Sequence, residues 1–396
     1  MNKKISLGAA IMLMAMSAAV AITITVVIVM RMLNSNILDF SQRSAMFKKL
    51  YNVDQTVREY YIGKINDASL NDSIIKGYMN GVGDKYGTYF DADEYNRMML
   101  ENEGKATGIG INVIESQDGY IKVISVLSDS PAEKSGVIVG DEIVSVEGKD
   151  VKSLGYTSAV SMLKGNVGTT ASFKVVRDNN YLSFAIVRKD YETQTVQSRM
   201  IGDIGYVRII EFDNNTASQF STQVDGIISK GAKGIIFDVR NNPGGTLDSA
   251  EKIIDKLVPA GPVVRAKYKD GKLTTLYTSK PDQVNLPMAV LTNQNSASAA
   301  ELFTAALKDY GKAKSIGTKT YGKGTMQRVI NLNDGTALDL SVAYFYPPKS
   351  DNFEGVGVTP DISVPLSPEK QNNFYSISDS DDDQLQAGLK YIKSLL

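Results

Sequence analysis

An uncharged segment near the N-terminus places the strongest constraint on how this 396-residue chain can fold. Residues 5–30 form a run of 26 residues without a charge, and Arg31 ends it. A helix of about 20 apolar residues is long enough to cross a bilayer. The run therefore predicts one transmembrane anchor, behind a cytoplasmic tail of residues 1–4 that carries two lysines. The remaining chain is expected to be the extracytoplasmic part of a single-pass cell-membrane protein.

A cleavable secretory signal is the alternative interpretation of this segment. Ala19-Val20-Ala21 resembles the small-residue site at which such signals are cut. The apolar residues continue past this site to Val29. The apolar region of a secretory signal is usually about 7–15 residues long. We therefore favour an anchor that stays uncleaved.

The chain contains no cysteine and no histidine. Disulfides and Cys/His zinc sites are excluded, and so are cysteine nucleophiles and a Ser-His-Asp triad. A nucleophilic serine therefore needs another base, and lysine is the leading candidate. The net charge of −1, with both signs spread along the chain, gives no indication of a nucleic-acid-binding surface.

Apolar periodicity divides the rest of the chain into four regions. Residues 31–103 predict a helical region, and residues 104–190 predict short strands with a helix at 156–163. Residues 191–366 alternate strands and helices, which predicts an α/β layer with a largely parallel sheet. Residues 367–396 begin as an acidic linker and end in a short amphipathic helix.

Two motifs distinguish the β-rich region 104–190. Residues 107–111 read Thr-Gly-Ile-Gly-Ile, and a glycine-rich turn before an edge strand can direct several N–H groups at one carboxylate. The segments 130–136 and 140–144 follow, and in this order the motifs resemble a PDZ domain of the bacterial envelope-protease type. The resemblance implies capture of peptide tails, with the tail added as a strand. A tight turn without a ligand is the alternative for the first motif alone. The implied peptide-binding residues are Gly108, Ile109, Gly110 and Ile111.

Three segments of the α/β region carry candidate chemistry. Asn-Pro-Gly-Gly at 242–245 follows a buried strand, where its N–H groups can stabilise an oxyanion or simply form a turn. Ser-Ala-Ser-Ala-Ala-Glu at 296–301 opens a helix, and its spacing also fits an ordinary capping box. Gly-Lys-Gly-Thr-Met-Gln at 322–327 places a lysine between two glycines, either in an exposed turn or in a tight, poorly solvated site. The lysine and the glutamine share one face of an extended segment.

These motifs together resemble the carboxy-terminal processing, or tail-specific, serine protease family with its PDZ domain. The segments 83–86 and 357–361 extend the resemblance, which covers roughly residues 40–366. It implies a serine-type endopeptidase with a Ser-Lys dyad. Ser298, rather than Ser296, matches the nucleophile, Lys323 the general base and Gln327 the residue that orients the base.

The resemblance also implies Gly244 and Ala299 as the donors of the oxyanion hole, with Gly245 as the neighbouring alternative to Gly244. A lysine base acts when neutral, so we expect burial to lower the pKa of Lys323 from its usual value of about 10.4. Activity should then favour neutral to alkaline pH. No metal ion or cofactor is implied.

The implied architecture is an α/β protease core at 191–366 with crotonase-like α/β/α layers and an inserted PDZ domain. The expected partners are protein or peptide substrates held by their C-terminal tails. The helical ends, residues 34–80 and 384–396, are candidate homodimer contacts. A membrane-tethered PDZ scaffold with an inactive protease fold is the alternative function. The intact set of Ser298, Lys323 and Gln327 argues against it.

Overall fold

The computed structural model describes residues 7–116, 118–281 and 283–396. These residues form two units, the first ending at Ser73 and the second running from Ile74 to Leu396. The first unit contains helix α1 (Leu7–Tyr60) and the start of helix α2 (Asp67–Val82). Helix α1 is continuous over 54 residues and therefore includes both the described part of the predicted anchor and the charged segment that follows it.

The predicted transmembrane anchor is not found in the described part of the chain. No helix there combines the length and the apolar character needed to cross a bilayer. The apolar run forms the beginning of α1, which continues to Tyr60. The predicted cytoplasmic tail, residues 1–4, and the first two residues of the predicted anchor, Ile5 and Ser6, lie outside the described residues.

The predicted helical region 31–103 also contains a strand. Strand β1 (Thr88–Phe90) precedes helix α3 (Ala92–Asn102). Its three residues pair antiparallel with residues 337–339. The apolar pattern did not indicate this strand, because so short a segment becomes a strand only through its distant partner.

Residues 105–192 form the β-rich domain, with strand β3 at one edge of its main sheet. That sheet is antiparallel, in the order β3-β4-β5-β7-β8, and β2 pairs separately with β9. The helix predicted at 156–163 is confirmed as α6. In chain order the elements are β2 (Lys105–Gly108), β3 (Ile111–Glu115), β4 (Ile121–Val126), α4 (Pro131–Lys134), β5 (Glu142–Val146), β6 (Lys149–Asp150), α5 (Val151–Leu154), α6 (Tyr156–Leu163), β7 (Thr170–Arg177), β8 (Asn180–Val187) and β9 (Lys189–Glu192).

Residues 196–393 form the α/β region. Its elements are β10 (Val196–Ile201), β11 (Ile204–Ile209), α7 (Thr216–Ser229), β12 (Gly234–Asp238), α8 (Leu247–Asp255), β13 (Gly261–Tyr268), β14 (Leu273–Ser279), β15 (Met288–Thr292), α9 (Ala299–Asp309), β16 (Ala313–Gly317), β17 (Thr325–Asn331), β18 (Ala337–Tyr346), β19 (Ile362–Ser363), α10 (Pro368–Asn372), a 3₁₀ turn (Phe374–Ser376) and α11 (Asp383–Lys393). The main sheet has the order β10-β11-β12-β15-β16-β19 and is parallel from β11 onward. The prediction of a largely parallel sheet is confirmed.

Helices cover both faces of this parallel sheet. Ile235 and Phe237 of β12 pack with residues of α7, α8 and α9, whereas Ile236 between them packs with α11. Alternate residues of a strand point to opposite faces, so α11 lies across the sheet from the other three helices. This gives three layers, and the similarity to the crotonase arrangement stays a prediction. The apolar face of α11 is buried in the core of this chain, and the homodimer contacts expected at residues 34–80 and 384–396 stay a prediction.

A second, antiparallel sheet carries the segments that complete the site. Strand β18 pairs with β1 and β17 along its first half, and with β13 and β17 along its second half. The β1 segment, from the start of the second unit, is thereby held beside residues more than 200 positions later in the chain.

Candidate active site

Ser298 lies at the point where a buried parallel strand leads into a helix. Strand β15 ends at Thr292, and Ser298 is the N-cap of α9 with φ of +54° and ψ of −114°. A non-glycine residue rarely adopts positive φ, and such strain is kept where the surroundings fix the backbone. Here the carboxylate of Glu301 accepts the Ser298 N–H at 2.9 Å. Ser298 and Glu301 thus form the capping box that their spacing predicts.

The glycine turn at 242–245 packs directly against this serine. Gly244 has φ of +105°, and a Cβ there would lie 2.7 Å from the Ser298 Cβ and 2.9 Å from the Ala297 oxygen. Only glycine allows this approach without displacing the serine. The turn that the resemblance implies as an oxyanion donor therefore lies against Ser298, and its role stays a prediction.

The backbone N–H groups predicted to form the oxyanion hole differ in whether they already donate a hydrogen bond. The Gly244 N–H donates to the Asn242 Oδ1 at 2.8 Å, so it is already engaged. The N–H groups of Ala299 and of Gly245 form no hydrogen bond among the described residues. Ala299 is therefore the free donor next to the serine, and the choice between Gly244 and Gly245 stays a prediction.

Lys323 meets the glutamine that its spacing predicts. Its Nζ donates to the Gln327 Oε1 at 2.5 Å and lies 4.8 Å from the centre of the Tyr86 ring. Burial lowers the pKa of Lys323 below its usual value, as expected for a lysine base. Three nearby carboxylates act in the opposite direction, those of Asp339, Glu354 and Asp84.

The side chains of Ser298 and Lys323 form no direct hydrogen bond among the described residues. Their backbones are instead connected by the carboxylate of Glu301. Its Oε2 accepts the backbone N–H of Ser298 at 2.9 Å and that of Lys323 at 2.8 Å. Its Oε1 accepts the Gly322 N–H at 2.7 Å and the Thr320 hydroxyl at 2.5 Å. Glu301 is fully buried, and this burial raises its pKa despite the hydrogen bonds. Sequence reasoning explained Glu301 only as a helix cap, and no local signal indicates its link to Lys323.

The segment 83–86 contributes to the site through Tyr86. The carboxylate of Asp84 accepts the N–H of Tyr86 at 3.1 Å and the N–H of Ser341 on β18 at 2.8 Å. This places the Tyr86 carbonyl oxygen 2.6 Å from the Gln327 Nε2, which donates to it. The same Nε2 donates to the Asp339 Oδ2 at 2.9 Å. Sequence reasoning did not identify Asp339, whose only local signal is a charge between two leucines in a strand.

A buried ion network lies behind the glycine turn. Arg240 donates to the Asp238 Oδ2 at 2.6 Å and to the Asp382 Oδ2 at 2.7 Å, and it also donates to Gln384. Burial acts to raise the pKa of Asp238, but the charge of Arg240 outweighs it and lowers that pKa. Asp382 is also the N-cap of α11. The N-terminus of α11 is thus connected to Arg240, which lies two residues before Asn242 in the chain.

The predicted peptide-binding turn adopts a conformation that requires glycine. Gly110 has φ of +84°, and a Cβ there would lie 2.2 Å from the Ser130 Cβ. The Ile109 side chain is buried in the core of the β-rich domain, so only its backbone is available to a ligand. Ile111 begins the edge strand β3. Near the middle of β3, the Tyr156 hydroxyl of α6 donates to the Val113 carbonyl at 3.2 Å.

Among the residues that the structure describes, no group of three or more possible metal ligands lies close enough together to hold a metal ion.

Two family models match the two regions of this chain. Residues 203–364 match the model of peptidase family S41, and residues 107–187 match that of the PDZ domain. The chain is 34% identical over 336 residues to a carboxy-terminal-processing protease of Bartonella bacilliformis, covering 81% of this chain and 75% of the relative. It is 33% identical over 341 residues to the carboxy-terminal processing protease CtpA of Bacillus subtilis, covering 84% and 72%.

A solved structure supports the same fold. The photosystem II D1 C-terminal processing protease superposes with a TM-score of 0.51 at 22% identity, over 80% of this chain and 86% of that one. The identity and coverage of the two bacterial relatives establish the family. The chain belongs to peptidase family S41 and is a carboxy-terminal processing serine protease with a PDZ domain.

Proposed function

We propose that this protease cleaves peptide bonds with a Ser298–Lys323 dyad. The observation that carries the proposal is the carboxylate of Glu301, which binds the backbone of both residues on one oxygen atom. A buried lysine with a lowered pKa is suited to act as a base, and a strained serine beside the free Ala299 N–H is suited to attack. Catalytic hydrogen bonds are often long or absent before substrate binds, and we expect the Lys323 Nζ to reach the Ser298 Oγ in the substrate complex.

The chemical steps follow from these roles. Neutral Lys323 takes the proton of the Ser298 hydroxyl as the oxygen attacks the scissile carbonyl carbon. The Ala299 N–H, with one glycine N–H of the 244–245 turn, stabilises the resulting oxyanion. The C–N bond then breaks, and the Lys323 ammonium gives its proton to the leaving amine. Water, deprotonated by Lys323, attacks the acyl carbon of the ester. The bond between that carbon and the Ser298 Oγ breaks, Lys323 returns the proton to the serine oxygen, and the second product leaves with a new carboxylate.

The dyad is tested by cleavage of an unstructured protein that ends in apolar residues, with the full-length chain. Ser298→Ala and Lys323→Ala should each reduce cleavage at least 1000-fold, because each removes a group that takes part in bond making. Ser229→Ala and Lys252→Ala, both exposed, serve as matched controls and should retain the wild-type rate. Undiminished cleavage by either active-site variant would contradict the dyad. An inactive wild-type chain that still binds peptide would favour the alternative of a PDZ scaffold.

The second part of the proposal concerns substrate capture by the PDZ domain. We infer that a C-terminal tail adds to the free edge of β3, with its carboxylate at the backbone of Gly108, Ile109, Gly110 and Ile111. The support is the position of β3 as the terminal strand of its sheet, next to a glycine turn with positive φ at Gly110. A peptide with a free C-terminus should bind, and the same peptide amidated at its C-terminus should lose most of its affinity. Equal affinity for the two peptides would exclude carboxylate recognition by this turn.

The third part concerns location. We propose that the catalytic region acts outside the cytoplasm, next to the membrane, because residues 5–30 are uncharged and follow two lysines. This proposal rests on the sequence of the segment, not on the described helix. Fractionation of cells that express the full chain should place it in the membrane fraction, and added protease should degrade it in intact spheroplasts. A full-length protein in the soluble cytoplasmic fraction would contradict this location.

A further inference from the structure

The side-chain amide of Gln327 is held by groups on three different segments. Its Nε2 donates to the Tyr86 carbonyl at 2.6 Å and to the Asp339 Oδ2 at 2.9 Å, and its Oε1 accepts from the Lys323 Nζ at 2.5 Å. An amide nitrogen only donates and an amide oxygen only accepts. Two acceptors on one side of the amide therefore determine that the oxygen, and not the nitrogen, faces the lysine.

Asp339 is an unusual residue for its position. It lies in β18 between Leu338 and Leu340, opposite Thr88 of β1 and Val329 of β17. Its side chain is half-buried, and its second oxygen, Oδ1, is fully buried without a hydrogen bond among the described residues.

A carboxylate in this place is costly because burial disfavours its charge. Burial indeed raises the pKa of Asp339. The backbone N–H of Leu340 and the charge of Lys323 lower that pKa but do not outweigh burial, and Asp339 forms no salt bridge within 4.0 Å in the described part of the chain. Its one side-chain hydrogen bond to another side chain is the bond to Gln327. The hydrogen-bonding pattern therefore connects Asp339 to the lysine through Gln327.

We propose that Asp339 is a positioning residue for catalysis, which orients the Gln327 amide so that its oxygen holds the Lys323 amine in place for Ser298. This inference rests on the proposed Ser-Lys dyad. When the acceptor at position 339 is removed, the amide can rotate and present its nitrogen to the amine. Two donors would then face each other, and the amine would lose its fixed position.

Asp339 also acts on Lys323 through its negative charge. This charge raises the pKa of the base and so opposes catalysis, whereas orienting the Gln327 amide favours it. The negative groups that face the amine are Asp339, Glu354 and Asp84, and the Tyr86 ring lies beside it. Each carboxylate favours the protonated amine and so raises the pKa of Lys323. Removing the charge while keeping an oxygen acceptor should therefore lower the pH at which the base becomes active.

Two substitutions separate these effects in the full-length enzyme. Asp339→Leu removes the acceptor, and we expect kcat to fall about 10- to 100-fold with KM unchanged, because only the transition state needs the placed amine. Asp339→Asn keeps an acceptor oxygen, and we expect kcat within about threefold of wild type, with the acid limb of the kcat/KM profile shifted to lower pH. Asp351→Asn, an exposed aspartate without side-chain partners among the described residues, is the matched control and should change neither quantity.

A double-mutant cycle distinguishes orientation from folding. If Asp339 acts through Gln327, adding Asp339→Leu to Gln327→Ala should reduce kcat less than twofold further. A full additional loss in that background, or the same pH profile for Asp339→Asn and wild type, would overturn the inference. The Ser298→Ala and Lys323→Ala assays are independent of these variants. If they abolish cleavage while the cycle is additive, the dyad stands and only the role of Asp339 fails.

Discussion

The backbone N–H groups of Ser298 and Lys323 donate to the same atom, the Oε2 of Glu301, at 2.9 and 2.8 Å. The serine begins a helix and the lysine belongs to a loop that comes after the next strand. The distance between these two backbones is therefore set by one buried carboxylate. A change at Glu301 should affect both halves of the dyad together.

The first prediction concerns this shared carboxylate. Glu301→Ala removes the acceptor of three backbone N–H groups and one hydroxyl. An unsatisfied buried donor costs about 1–3 kcal/mol, so we expect a loss of at least about 3 kcal/mol in the free energy of unfolding. Cleavage should fall below detection. Chemical denaturation and the cleavage assay measure the two effects.

A glutamate in the first turn of α4 provides the control for this variant. The Glu133 carboxylate accepts the Asp129 N–H at 2.7 Å on an exposed surface of the PDZ domain. Glu133→Ala should cost about 1 kcal/mol or less and leave kcat unchanged. Equal losses of stability in the two variants would mean that Glu301 acts as an ordinary helix cap.

The second prediction concerns pH. Burial holds the pKa of Lys323 below its usual value, and the amine acts as a base only when neutral. The rate therefore rises as pH increases through this lowered pKa, and the midpoint of the rising limb should lie below about pH 10.4. Lys323→Arg should be inactive at every accessible pH, since a guanidinium stays protonated. A kcat/KM profile that is flat from about pH 5 to pH 10 would exclude a lysine base with this pKa.

The third prediction concerns the edge of the PDZ sheet. The Tyr156 hydroxyl occupies the Val113 carbonyl, which an added peptide strand would need as an acceptor. Tyr156→Phe frees this carbonyl, and one hydrogen bond of about 1 kcal/mol corresponds to about fivefold tighter binding of a tail peptide. Titration with a labelled peptide measures the Kd. Tyr181→Phe, an exposed tyrosine of β8, is the control. Weaker binding by Tyr156→Phe than by this control would show that the hydroxyl contacts the peptide instead.

The fourth prediction concerns the last helix. Asp382 pairs with buried Arg240, whose side chain is 2% exposed, and caps α11 at the same time. Asp382→Ala removes one of the two carboxylates that pair with this buried guanidinium. We therefore expect a loss of about 3–5 kcal/mol in the free energy of unfolding. Asp383→Ala removes an exposed pair with Lys370 and should cost less than about 1 kcal/mol. Similar midpoints of denaturation for the two variants would contradict a structural role for the Arg240–Asp382 pair.

Much of the local structure could be predicted because its signals lie within a few residues of one another. The bounds of α6 agree with the helix predicted at 156–163, and the alternation over 191–366 predicted the parallel sheet. The spacing of Lys323 and Gln327 predicted their contact. The short β1 was missed, since three residues carry too little pattern to indicate a strand.

The sequence by itself determined the chemistry that is available to this protein. A chain without histidine or cysteine has to supply a serine nucleophile with a base such as Lys323, and its short motifs identified the family. Tertiary structure alone decided how those residues are held. Tyr86 and Gln327 are 241 positions apart, and Asp339 and Glu301 gain their partners only when β1, β17, β18 and α9 come together. Local periodicity reports which face of an element is buried, whereas a hydrogen bond between distant segments depends on how those elements pack.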